Sequence, residues 1–149
     1  MVELLVYMGL FAIILIPLMQ LFGSIIEVRL ESEATSAVAE DGVYILTRLT
    51  NDLHKATNLT TTATKLTISG NGTSYVYALN GQDLRLTDNN IAPPNNSFHL
   101  NSANTTVSNL SFATISTNTV NISFRLTSTI IRSGGKPQIE DFSTTIGIR

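Results

Sequence analysis

The sequence predicts an α+β protein in which a long N-terminal helix, first transmembrane and then amphipathic, packs on an antiparallel β-sheet. Three observations predict it. Leu4 to Ile26 reads LLVYMGLFAIILIPLMQLFGSII, 23 residues without a charge. From Ile26 the apolar residues recur every three or four positions into the fifties, the helical period. Beyond residue 59, short alternating segments are separated by Asn, Gly and Pro turn signals. The chain therefore divides into 1–27, a transmembrane helix; 28–58, an amphipathic helix packing on the sheet; and 59–149, an extracytoplasmic β-rich domain.

At 1.5 Å per residue the uncharged run makes a helix of roughly 35 Å, enough to cross a hydrocarbon core of about 30 Å. A 149-residue chain is too small to surround an apolar rod of that length in a soluble core. No small-x-small cleavage pattern follows the run and the helical pattern continues past it, so the segment is expected to stay in the mature protein. Glu3 stands out, because a carboxylate at the edge of a hydrocarbon layer is costly unless paired or neutralised. It either caps the span at the aqueous boundary or pairs with a positive group of another subunit, most simply an exposed N-terminal amine. Pro17 lacks the amide hydrogen that would reach Ile13, which predicts a kink or local opening there. Gly9 and Gly23 permit close approach of neighbouring helices, although their spacing is not a close-packing motif.

In the second stretch Ile26, Leu30, Ala34, Val38, Gly42, Ile45, Leu49, Leu53 and Ala56 form one stripe. Val38, Ile45, Leu49 and Leu53 are its bulky members and are expected to pack on the sheet. Glu27, Arg29, Glu31, Glu33, Glu40, Asp41, Arg48, Asn51 and Asp52 lie opposite, on the face expected to meet water. The helix is expected to reach Thr57 or Asn58. Gly42 within the stripe reads either as a weak point of the helix or as a close helix-to-sheet contact, the former being favoured. His54 reads as a boundary residue, since no cluster of metal-ligating side chains accompanies it.

After a polar linker at Thr60–Thr64, three segments, Lys65–Ser69, Ser74–Leu79 and Asp83–Thr87, read as a meander, with Asn80-Gly81 marking a hairpin. Asp88–Ser97, rich in Asn and Pro, reads as a surface loop. Val107–Ile115, Thr119–Thr127 and Ile139–Ile148 complete the strands. The middle one sets Val120, Ile122, Phe124 and Leu126 against Asn121, Ser123, Arg125 and Thr127, the pattern of a half-buried antiparallel strand. One layer of helix on one sheet is the expected architecture.

Charged residues are 13% of the chain and the net charge is −2, so nucleic acid is not an expected partner. Twenty Thr and thirteen Asn supply the polar surface instead. Without cysteine there is neither a disulfide framework nor a thiolate metal site, and the Asn-rich loop lacks the alternating carboxylates of a calcium site. Neither metal nor cofactor is expected. Asn-x-Ser/Thr triplets begin at Asn58, Asn71, Asn95, Asn104, Asn109 and Asn121, and Asn71 and Asn95 are the most open to glycosylation. His54 and His99 stand in no nucleophilic triad or paired-carboxylate pattern, so catalysis is not expected. Residues 1–56 carry net charge −4 and residues 57–149 carry +2, a weak basis for attraction between subunits.

Val2-Glu3-Leu4-Leu5-Val6, followed by the apolar run, resembles the N-terminal helix of type IV pilins and type II secretion pseudopilins. The later segments Val43–Leu53, Val107–Phe112 and Phe142–Arg149 are similar, more loosely, to minor pilins and J-type pseudopilins. The resemblance implies a structural subunit of a type IV pilus or related secretion pseudopilus. It implies a short leader removed by a prepilin peptidase, methylation of the new N-terminus, and a glutamate, matched by Glu3, that registers subunits. Leu4, Leu5, Gly9 and Pro17 would then belong to the assembly surface. The implied partners are further pilin subunits, the inner-membrane assembly machinery and, before assembly, membrane lipid. The implied location is the cytoplasmic membrane, then a filament at the cell surface. Met1 stands where the family has Leu, and Pro17 is displaced from the position many pilins use. The rival expectation is a monomeric, single-pass, membrane-anchored extracellular binding domain.

Overall fold

A computed structural model describes residues 2–70, 72–94, 96–132 and 134–148. One helix, α1 (Val2–His54), is followed by strands β1 (Asn58–Thr62), β2 (Lys65–Gly70), β3 (Thr73–Asn80), β4 (Asp83–Asp88), β5 (Ser97–His99), β6 (Thr105–Ser116), β7 (Thr119–Ile131) and β8 (Pro137–Gly147). The strands form two antiparallel sheets instead of the expected one: five strands in the order β1-β2-β3-β4-β5, and three in the order β6-β7-β8. The α+β class and the helix-on-antiparallel-sheet packing hold, with the helix lying mainly on β7 and β8.

The stripe on α1 is buried from Ala34 through Val38, Gly42, Ile45 and Leu49 to Leu53, whereas Leu30 is half-buried and Ile26 exposed. Val38, Ile45, Leu49 and Leu53 join Leu66, Ile68, Tyr77, Leu84 and Leu86 of the first sheet and Val107, Phe112, Val120, Ile122, Phe124 and Leu126 of the second in one core. Strand β7 alternates as its sequence predicts, because one face meets the helix and the other meets water.

Two boundaries differ from expectation. The helix stops at His54, not Asn58: the Lys55 and Ala56 amides reach back to the Asp52 and Leu53 carbonyls, and the Thr57 amide then donates to the Ser69 carbonyl at 3.0 Å, starting the ladder. Gly70 makes room for this exit, since a Cβ there would lie 2.7 Å from the Lys55 carbonyl oxygen. Likewise Thr60–Thr62, expected in a linker, pair with β2 as an edge strand. An edge strand whose side chains remain largely in water needs no apolar alternation, so its pattern was silent.

Strand β6 carries a bulge. Ser108 pairs with Arg125 and Ser111 with Ser123, leaving Asn109 and Leu110 opposite a single residue. Asn109 takes a left-handed conformation (φ 52°), which brings both Val107 and Leu110 inward despite their odd separation. The outer edge of β6 is covered by turns of the first sheet: the Val107 amide donates to the Gln82 carbonyl at 2.8 Å and the Phe112 amide to the Ala63 carbonyl at 3.2 Å. The two sheets thus meet along an otherwise open edge.

Candidate functional site

Leu4 to Ile26 lies wholly outside the core. Leu4 is 65% exposed, Leu5 72% and Phe22 66%, and no residue of the most apolar 18-residue window is buried. That window has a mean hydropathy of 2.4, and the helix is long and apolar enough to cross a membrane. A soluble monomer rarely leaves an apolar patch larger than a few hundred Å² open to water, so this surface requires lipid or other apolar helices against it.

Its individual residues fit that requirement. Glu3 lies exposed in the first helical turn, where the dipole of the helix favours a negative charge, and it makes no ion pair among the described residues. A Cβ on Gly9 or Gly23 would meet nothing within 4 Å. Both glycines therefore lower helix propensity by about 1 kcal/mol each relative to alanine without any need inside the molecule. Pro17 leaves the Ile13 carbonyl without its usual donor, yet the segment stays helical across Ile13–Pro17. Asn71 and Asn95, singled out for glycosylation, lie outside the described residues.

The same helix is fastened to the folded domain by Val38, Ile45, Leu49 and Leu53, all fully buried, and by two carboxylates assigned from sequence to the wet face. Asp52 is buried. It accepts hydrogen bonds from Arg48 Nε at 3.0 Å and from the Tyr77 hydroxyl at 2.5 Å. Burial, followed by the hydrogen bond to Asp52, pushes the Tyr77 hydroxyl well above its ordinary range. Asp41 accepts from the Ser102 amide and hydroxyl, each at 2.8 Å, and from the Thr105 hydroxyl. That carboxylate clamps the connection between the two sheets onto the helix. Buried Asn101 completes the junction by accepting from the Leu84 amide at 2.9 Å and donating to the Thr105 carbonyl at 2.8 Å.

Gly42 faces the Phe142 ring, and a Cβ there would fall 2.2 Å from its Cζ. The close contact, not a weak point in the helix, explains this glycine. Phe142 in turn stacks on Phe124, with centroids 5.3 Å apart.

His99 is better accompanied than its sequence context implied: its Nδ1 lies 3.4 Å from Asp83 Oδ2 and its Nε2 2.9 Å from Arg85 Nη2. This exposed cluster contains no nucleophile. Among the described residues no group of three His, Cys, Asp or Glu is placed to hold a metal ion. A groove of about 440 Å³ beside the helix is lined by Tyr44, Tyr75 and Phe98 together with Arg48, Leu86 and Ile91. No protein-family model, curated protein or solved structure matches the chain.

Proposed function

We propose that the chain is a structural, non-catalytic subunit of a type IV pilus or related secretion pseudopilus, inserted in the cytoplasmic membrane before assembly and carried into a filament afterwards. The observation that carries this reading is the continuity of α1: one helix is unpartnered and apolar over Leu4–Ile26, then locked to the sheets from Ala34 onward. Such a helix transmits the position of its apolar half directly to the folded half. Neighbouring Leu4–Ile26 segments would form the filament core in place of lipid, and the β domain would form its exterior. Gly9 and Gly23 would let neighbouring helices approach closely in that core, although their spacing is not a close-packing motif. Glu3 would pair with a positive group of an adjacent subunit, since an uncompensated carboxylate in an apolar bundle is strongly unfavourable. The lean toward a minor pilin or J-type pseudopilin rests on the sequence resemblance alone, as do leader removal by a prepilin peptidase and N-terminal methylation.

The test compares wild type with Glu3→Ala in producing cells, separating sheared filaments from membranes. The assembly reading expects the variant in the membrane fraction but depleted from filaments. Equal recovery of both proteins in filaments would remove Glu3 from assembly, and absence of wild type from filaments would sink the reading itself.

One observation favours a second reading. The groove is lined by three aromatic residues, Tyr44, Tyr75 and Phe98, together with Arg48, a lining that would suit a membrane-anchored binding domain. That reading expects Glu3→Ala to have no consequence and Tyr44→Ala to abolish ligand capture.

A further inference from the structure

The β7–β8 hairpin returns toward the point where α1 leaves its apolar stretch. Two contacts set this direction. Arg132 Nη1 lies 3.6 Å from Glu31 Oε1 at the hairpin end, and Phe142 packs on Gly42 farther along. Glu31 is five residues beyond Ile26, roughly 7.5 Å along the helix axis. Half the difference between a bilayer with and without its polar layers is about 5–7.5 Å, so a span ending at Ile26 puts Glu27 within the headgroup layer and the hairpin end at its outer edge.

There Glu27, Glu31, Arg132, Gly134 and Lys136 line a niche of about 250 Å³. It is open to solvent and brings together two acidic residues of the helix and two basic residues of the hairpin, of which Glu31 and Arg132 already face each other as a pair. Arg132 is held in place, donating from Nε to the Lys136 carbonyl and from Nη2 to the Pro137 carbonyl. Neither Glu27 nor Lys136 makes an ion pair among the described residues. Exposed Val28 and Ile131, next in sequence to Glu27 and Arg132, put apolar surface at the same level.

We infer that this niche is a site for the headgroup of one ethanolamine phospholipid, occupied while the chain resides in the membrane. The inference rests on the membrane-spanning reading of Leu4–Ile26. A primary ammonium can donate hydrogen bonds to the Glu27 and Glu31 carboxylates, while the adjoining phosphate meets Lys136 and Arg132. A choline headgroup has the same charges but cannot donate from its nitrogen. A glycerol headgroup has no cation, so the two carboxylates repel its phosphate.

The test uses the full chain in nanodiscs containing equal parts of phosphatidylethanolamine, phosphatidylcholine and phosphatidylglycerol, with native mass spectrometry reading the lipid retained. One ethanolamine lipid should be retained about tenfold over either competitor, which corresponds to about 1.4 kcal/mol. Glu27→Gln with Glu31→Gln should reduce that preference to parity with choline, Lys136→Gln should lower retention of every phospholipid, and Glu33→Gln, outside the niche, should change nothing. Equal retention of the three lipids, a preference for phosphatidylglycerol, or a preference that survives the double glutamine variant would overturn the inference while leaving membrane insertion intact. A chain that fails to enter the bilayer would overturn both.

Discussion

At Gly42 the separation between helix and sheet is set by the half-buried Phe142 ring, which stacks on Phe124 and would have to leave that position to admit a Cβ. Gly42→Ala is therefore expected to destabilise the folded domain by about 1–3 kcal/mol, even though alanine is the better helix former. Chemical denaturation of the full chain in detergent would check it, and unchanged or increased stability would count against the contact. A second residue-scale device is Asp52, which joins Arg48 on the helix to Tyr77 on β3. Replacing it with alanine should cost about 1–3 kcal/mol, since the buried Tyr77 hydroxyl would lose its acceptor. The same hydroxyl makes stability depend on alkaline pH. Its proton is held more tightly in the folded than in the unfolded chain, so its contribution is complete below about pH 10 and declines as pH rises beyond that. Tyr77→Phe should remove this part of the decline, which parallel denaturation series at pH 8 and pH 11 would detect.

Among the elements, those that put a repeating apolar face against the core were legible in the sequence. The Val38–Leu53 stripe and the Val120–Leu126 alternation each report their periodicity directly. Elements held by hydrogen bonds were not. β1 is an edge strand of half-wet Thr and Leu, and its pairing with β2 leaves no hydrophobic signature. Asp41 and Asp52 were placed on the wet face by polarity, because their partners Ser102, Thr105 and Tyr77 are remote in sequence and only the fold brings them near. The second sheet escaped notice for a related reason: the separation of β5 from β6 depends on Asn101 and the Asp41 clamp, not on a change in strand pattern. Asp41→Ala should accordingly release residues 102–105 while leaving the stripe packed. Hydrogen exchange at Ser102 and Thr105 should accelerate by at least about tenfold, with exchange at Val38–Leu49 little changed. The apolar half of α1 was the most legible element of all, since hydropathy alone marks it. What Glu3 meets was not legible, because the positive group proposed for it would lie on another chain and leave no trace in the spacing of this one.

For the whole molecule, α1 is the organising object. Its first half needs an apolar environment that the chain itself does not provide, and its second half is bound to two sheets through a common core. A membrane meets the first requirement, and the proposed filament would meet it as well, since bundled helices can replace lipid while the sheets remain outside. The most direct measurement is electron microscopy of producing cells with gold-labelled antibody raised against residues 60–149. The proposed assembly predicts gold on filaments, along their length for a principal subunit or at their tips for a minor one. Gold spread evenly over the cell surface, with filaments present but unlabelled, would contradict it.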